Sequence, residues 1–305
     1  MEKIFDTVII GGGPAGYSAA LYTARAGLDT LVIERMSAGG QMTMTGDIDN
    51  YPGYPDGIDG FTLGMNMQSG AERFGAVTEY AEVLSADLWP KVKRISTTAG
   101  DFLARTVIIA TGANPRELGI AKERELVGAG VHYCAHCDGR FYQGKTVAVV
   151  GGGNSALEDA LYLSKLAAKV YLIHRRGEFR ATALYRRQLE ASERVEKLLY
   201  STVENVIASD RLSAIEVKDT RTGEVSKLEI DGLFVSIGRS PASAAFADVL
   251  ELDESGYIKA GESTETSIPG VFAAGDVRTK ALRQVVTAAA DGAVAAHYAE
   301  LYLNL

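Results

Sequence analysis

Residues 7–36 (TVIIGGGPAGYSAALYTARAGLDTLVIERM) and 147–176 (VAVVGGGNSALEDALYLSKLAAKVYLIHRR) align without a gap at an offset of 140. Gly11, Gly12 and Gly13 fall on Gly151, Gly152 and Gly153, Gly16 on Ala156, Ala20 on Ala160 and Ile33 on Ile173. Each copy is an apolar β-rich run, a glycine turn, a helix with a small-residue face and a second apolar run. That order is a βαβ dinucleotide unit. The glycines let the backbone turn tightly and approach a pyrophosphate, which rests on the helix N-terminus. One such turn could merely connect a strand to a helix. Two aligned copies, each in the same strand-then-helix context, point to two nucleotide sites in one α/β chain.

The copies differ at the end of the second strand. The first carries Glu34; the second carries His174-Arg175-Arg176, followed by Arg180. A carboxylate there accepts hydrogen bonds from an adenosine ribose and repels a 2′-phosphate. Arginines instead offer fork-shaped donors to that phosphate. The first site is therefore expected to take FAD or NAD, and the second NADP(H). The competing reading of the arginines is a solvated basic face.

A chain of 305 residues has room for two domains. A net charge of −8 argues against nucleic acid as the main partner. No apolar run reaches the roughly 18–20 residues of a membrane span. The opening Met1-Glu2-Lys3-Ile4-Phe5-Asp6 leads straight into Val8-Ile9-Ile10, which leaves no room for a signal peptide. A cytoplasmic location is expected, with neither nucleic acid nor membrane as partner.

Cys134 and Cys137 are the only 2 cysteines and lie three apart in Cys134-Ala135-His136-Cys137-Asp138. One helical turn can bring such a pair within S–S distance. Three other readings stand beside a redox pair. Free core thiols need no special spacing. A zinc site wants four ligands, and His132 and His136 would complete a cramped set with the cysteines. A structural disulfide is unusual in the cytosol. No metal is expected.

Gly39-Gly40-Gln41 through Asn50-Tyr51-Pro52-Gly53-Tyr54-Pro55 reads as a long turn-rich loop of the kind that carries function. A helix is expected over 60–75, short strands over 76–110, and buried strands over 105–112 and 233–238. Gly112-Ala-Asn-Pro115 and Gly238-Arg-Ser-Pro241 share the pattern Gly-x-x-Pro. They read either as ordinary loop punctuation or as the two crossings of a hinge, flanking an inserted segment of about 114–243. Near the end, a short strand leads to Gly275-Asp276 and a helix runs from Thr287 to about Leu303. Asp276 reads as a ligand for a cofactor hydroxyl or as a helix N-cap.

GGGPAG at 11–16, GGQ at 39–41, Asn50-Tyr51-Pro52-Gly53, ATGA at 110–113 and CAHCDG at 134–139 together make the chain similar to the bacterial-type low-molecular-weight thioredoxin reductases. GGGNSA at 151–156, HRRGEFRA at 174–181, IGRSP at 237–241, GVFAAGD at 270–276 and RQVVTAA at 283–289 extend the likeness over nearly the whole length. These are pyridine nucleotide-disulfide oxidoreductases. The resemblance implies an α/β fold of two doubly wound dinucleotide-binding domains, the NADPH domain inserted into the FAD domain, in a homodimer. Residues 1–113 and 244–305 would form the FAD domain, and 114–243 the NADPH domain with the redox pair. It further implies that Gly11, Gly13 and Gly16 hold the FAD pyrophosphate and Glu34 its ribose, while Gln41, Asn50, Asp276, Arg283 and Gln284 also contact FAD. Gly151, Gly153, Arg175, Arg176 and Arg180 would bind NADPH. Cys137 would lie next to the flavin, Cys134 would attack the thioredoxin disulfide, and Asp138 would give and take the proton. The chain departs from the family pattern at Ala242, at Asn154 and at His136, whose charge between the cysteines could tune the thiols.

Three rivals stand beside this reading. A ferredoxin or flavodoxin reductase on the same fold needs no thiols. A non-catalytic flavin sensor has less need of the arginines. An enzyme that oxidises a small dithiol, or reduces another disulfide protein, fits the same residues. In the expected reaction the cysteines face the flavin to be reduced and then face a partner, so the inserted domain has to turn on its crossings. A crosslink that locks 114–243 to the rest of the chain is expected to abolish NADPH-to-thioredoxin turnover. Full activity in the locked form rules the movement out.

Overall fold

The computed structural model describes residues 3–44 and 47–304. Thr45 and Gly46, within the turn-rich loop, lie outside the described residues, as do Met1, Glu2 and Leu305. The chain divides into two compact units, Met1–Asn114 with Ser240–Leu305, and Pro115–Arg239.

The first unit is built on one mainly parallel sheet. Val77–Tyr80, Thr30–Glu34, Ile4–Ile10 and Gly100–Ile109 lie side by side in that order. The far edge of Gly100–Ile109 is shared. Its first half pairs antiparallel with Lys93–Thr97, and its last residues pair parallel with Val271–Ala273. The central strands read as unbroken apolar runs because both of their faces are covered. Ile9, Val32, Ile108 and Phe272 point to one face, against alanines of helix α1 (Pro14–Arg25) and of the last helix. Val8, Ile10, Leu31, Ile33, Val107 and Ile109 point to the other, against Phe246, Leu250, Ile258 and Ile268. That period of two is the strand pleat. Helix α2 (Gly60–Glu72) follows the loop and is capped by Asp59, whose carboxylate accepts the Thr62 N–H at 2.8 Å.

The second unit repeats the scheme. Its sheet is wholly parallel, in the order Val131–His132, Gly232–Val235, Thr146–Val150, Lys169–His174, Val195–Leu199. The one-turn helix α3 (Ala135–Asp138) follows the first of these strands. Helices α4 (Asn154–Leu163) and α5 (Ala183–Glu190) lie on one face, over Val147, Val149, Val170 and Leu172. The opposite face is covered by an antiparallel sheet of Ser201–Ala208, Leu212–Asp219 and Val225–Glu229, packed on Val150, Ile173, Leu233 and Val235.

Back in the first unit, helix α6 (Val285–Leu303) closes the chain. Its N-cap is Gln284, whose side chain and that of Thr287 exchange bonds with each other's backbone. Asp276 is therefore not the cap; it sits earlier, in a tight turn over Gly275–Val277. Asp291 of α6 holds that turn. Its carboxylate accepts the Gly275 N–H at 2.9 Å, a two-pronged bond from Arg278 at 2.8 Å on each prong, and Lys280 Nζ at 2.9 Å. All three charged side chains are nearly buried. Burial pushes the Asp291 carboxyl up, but the bonds from Arg278 and Lys280 outweigh it and hold the group below the usual carboxylate range. The stability this carboxylate supplies is thus complete above that range and lost only as pH falls below it.

Replacing Asp291 by Asn would strand two buried cations. It is expected to cost about 3–5 kcal/mol of stability, read by chemical denaturation at neutral pH. A loss under about 1 kcal/mol would mean that solvent, not Asp291, balances Arg278 and Lys280.

Candidate functional site

The first glycine turn joins Ile4–Ile10 to α1. Gly11 has φ +107, a conformation that side chains disfavour, and a Cβ on Gly16 would strike the Gly11 carbonyl oxygen. The helix therefore sits directly on the strand end. Its N-cap is Gly13, with no side-chain cap and no acidic residue in the first turn, and a Cβ on Gly13 would project into open space. Glu34 folds back onto this turn. Its Oε2 accepts the Gly12 N–H at 2.6 Å and its Oε1 the Met36 N–H at 3.0 Å.

Other segments converge on the same helix end. The Gly39 N–H donates to the Gly12 carbonyl at 2.8 Å, and a Cβ on Gly40 would come 3.3 Å from the Gly13 Cα. A Cβ on Gly275 would come 2.9 Å from that of Ala15, so the turn bearing Asp276 abuts the first turn of α1. Asn50 Nδ2 donates to Gln284 Oε1 at 3.1 Å, which joins the long loop to the start of α6. Gln41 Nε2 donates to Asn114 Oδ1 at 2.9 Å. The Arg283 guanidinium lies 4.0 Å from the centre of the Tyr257 ring, its Nε buried without a hydrogen-bond partner among the described residues. These residues fit a flavin dinucleotide. The helix end has free amides beside open space, a carboxylate stands at the strand end, and polar side chains gather at the two neighbouring turns.

The second turn has the same build and different chemistry. Gly153 caps α4 without a side-chain bond, and α4 has no acidic residue in its first turn. A Cβ on Gly152 would strike the His174 ring, just as one on Gly12 would crowd Glu34. Burial lowers the His174 pKa, and the charges of Arg176, Arg180 and Arg175 push it the same way. The positive charge here belongs to the arginines. All three are exposed, and the Arg180 N–H donates to the Gly152 carbonyl at 2.7 Å, which fixes that residue beside the glycines. Asn154 closes the turn by accepting the Thr182 N–H at 2.8 Å.

In the same unit Cys134 and Cys137 form a disulfide. Cys134 is the N-cap of α3, and its sulfur accepts the Cys137 N–H at 3.2 Å. Both cysteines are half-buried, His136 is exposed and Asp138 is buried. In this oxidised form neither sulfur offers a thiolate to a metal. The His136 ring stacks on Tyr162 at 4.3 Å between centroids, with Nδ1 3.9 Å from Asp159 Oδ1. Asp159 in turn accepts the Ser236 hydroxyl at 2.6 Å. Burial raises the Asp159 pKa, while Ser236 and His136 pull it down. Asp159 and Ser236 are not singled out by the sequence, and nothing in their spacing marks them. His132, which the sequence suggests only as a zinc ligand, instead meets Asp138, with Nδ1 3.2 Å from Oδ2.

A family model described as pyridine nucleotide-disulphide oxidoreductase matches residues 5–292. A thioredoxin reductase of Listeria innocua is 44% identical over 99% of this chain and 95% of its own. One of Bacillus subtilis is 43% identical over 99% and 96%. The crystal structure of thioredoxin reductase from Streptococcus pyogenes superposes with a TM-score of 0.93, at 40% identity, covering 100% of this chain and 99% of that one. Among the described residues no helix is long and apolar enough to cross a membrane.

With both cysteines paired, the unfolded, unreduced protein is expected to give no thiol titre. After reduction and removal of the reductant it should give 2 thiols per chain. A titre of 2 before reduction would mean that the pair rests as the dithiol.

Proposed function

Since the chain belongs to the pyridine nucleotide-disulphide oxidoreductase family, we propose that it carries electrons from NADPH, through FAD, to its Cys134–Cys137 disulfide and on to thioredoxin. It is a flavoprotein thioredoxin reductase, similar over its whole length to enzymes of that name. The observation that carries the reading is the half-buried Cys134–Cys137 disulfide, in the same unit as a glycine turn flanked by exposed arginines.

Bound FAD and NADPH supply the hydride and electron-pair chemistry, and the protein's part is to hold and orient them. Glu34 would take the FAD ribose, the glycine turn of Gly11, Gly13 and Gly16 its pyrophosphate, and Gln41, Asn50, Asp276, Arg283 and Gln284 its other polar groups. Gly151 and Gly153 take the NADPH pyrophosphate, and Arg175, Arg176 and Arg180 its 2′-phosphate. In the dithiol form, the Cys134 thiolate attacks the thioredoxin disulfide and forms a mixed disulfide. The Cys137 sulfur then attacks Cys134, restores the internal disulfide and releases thioredoxin as a dithiol. Asp138, next in the chain to Cys137, takes the proton a thiol gives up and returns it to a thiolate. The same reading makes the protein a cytoplasmic homodimer.

Anaerobic titration of the flavin absorbance tests the route. NADPH is expected to bleach it at far lower concentration than NADH, and oxidised thioredoxin to restore it. Replacing either Arg175 or Arg180 by Ala should raise the NADPH requirement roughly tenfold to a hundredfold, from about 1.5–3 kcal/mol per charge-assisted bond, and leave NADH almost unchanged. Cys134→Ser should keep bleaching and lose thioredoxin reduction. Bleaching of the unaltered protein without reoxidation by thioredoxin would point to another acceptor. No bleaching by either nucleotide would overturn the assignment of the arginines.

A further inference from the structure

His132 lies on the short strand Val131–His132, in register with Phe234 of the neighbouring parallel strand. Its side chain is only 6% exposed. The ring stacks on Phe234 at 5.1 Å and meets the Tyr142 ring edge-on at 5.2 Å. Both ring nitrogens are engaged. Nδ1 lies 3.2 Å from Asp138 Oδ2, and Nε2 lies 2.6 Å from the Tyr142 hydroxyl.

The direction of these bonds follows from what each group can do. An ionised carboxylate only accepts, so Nδ1 carries the hydrogen in the neutral ring and Nε2 is left to accept the Tyr142 O–H. The charge of Arg211, which is exposed at the surface, acts on the Tyr142 hydroxyl. Burial pushes the Tyr142 hydroxyl up to about 12, so it keeps its proton as a donor. The other charges near this row are Asp231, which acts on Tyr142, and Lys145, whose Nζ is 5.4 Å from the Tyr142 ring centre. Donors thus run in one sense from Tyr142 through His132 to Asp138.

We propose that His132 is a positioning residue for Asp138, with Tyr142 selecting its tautomer: it aims the carboxyl group and stabilises the carboxylate. The inference rests on the proton-transfer role assigned to Asp138 above and adds what makes that role possible in a buried site. When Asp138 protonates a thiolate, its O–H bond breaks and an S–H bond forms, and His132 Nδ1–H holds the carboxylate left behind. In the reverse step the S–H bond breaks and the carboxyl O–H bond reforms. A buried carboxylate without such a donor shifts toward its neutral form and is slow to give up its proton.

His132→Phe keeps the ring stack and removes both bonds. It is expected to lower kcat for thioredoxin reduction about tenfold at neutral pH. The acidic limb of the pH–rate profile should also move up by about one unit, a tenfold change in the proton equilibrium behind it. His132→Asn, whose amide nitrogen stands near the place of Nδ1, should recover most of the rate. Tyr142→Phe should shift the limb in the same direction by less, and it decides the matter if the His132 variants fail to fold by circular dichroism. An unmoved limb in His132→Phe, or in Tyr142→Phe where that variant has to decide, overturns the proposal. Asp138→Asn, run alongside, separates the two readings. If it abolishes thioredoxin reduction while His132→Phe leaves the profile unmoved, only the role of His132 falls. If Asp138→Asn retains full activity, the role of Asp138 falls and that of His132 with it.

Discussion

The first unit depends on a helix and a strand meeting with no side chain between them. At Gly16 a Cβ would collide with the Gly11 carbonyl oxygen. Only that approach brings the start of α1 to the end of the strand, with its first amides open. The surrounding pieces are then arranged on this end: Glu34 on the Gly12 amide, the Gly39–Gly40 turn on Gly12 and Gly13, and the Gly275 turn on Ala15. Asp291 of α6 anchors the last of these by the Gly275 amide and balances Arg278 and Lys280. A buried ion cluster of this kind adds little net stability over an apolar core, yet breaking it is costly. Its value here is that a polar turn keeps one position beside the helix end.

The repeat shows how one scaffold is given two chemistries. The residue at the end of the second strand presses on the middle glycine in both copies, as Glu34 in one and His174 in the other. Glu34 spends its carboxylate on backbone amides and leaves a negative edge. His174, lowered in pKa by burial and flanked by cations, contributes shape. The charge in its copy is carried one and two residues later, and at Arg180, by exposed side chains.

Around the disulfide, two carboxylates are each faced by a histidine. Asp138 is met by His132 in the interior, and Asp159 by His136 nearer the surface. The two pairs differ in closeness, 3.2 Å against 3.9 Å, and in what completes them, Tyr142 in one and Ser236 in the other. A redox pair has to change its protonation as well as its electrons, and Asp138, next in the chain to Cys137, belongs to the closer of these pairs.

The glycine turns, the Glu34 and arginine contrast and the paired cysteines were legible in the amino-acid sequence. Each is a local pattern, set by residues within one turn or one βαβ unit, where sterics and charge act over a few bonds. The helices expected over 60–75 and from Thr287 to about Leu303 are found at Gly60–Glu72 and Val285–Leu303, and the apolar strands were readable as local runs in the same way. The partners of Asp138 and Asp159 were not. His132 reaches Asp138 because a two-residue strand is registered against Phe234, and Ser236 reaches Asp159 across 77 residues of chain because the strand before Ser236 pairs in parallel with the strand that leads into α4, which carries Asp159. The N-cap of α6 fell to Gln284 rather than Asp276 because the turn at Gly275 is held by Asp291, sixteen residues on. The sequence by itself determined which chemistry the chain carries. Only the tertiary structure decided which buried groups face one another, because sheet register and helix packing, not spacing along the chain, set those distances.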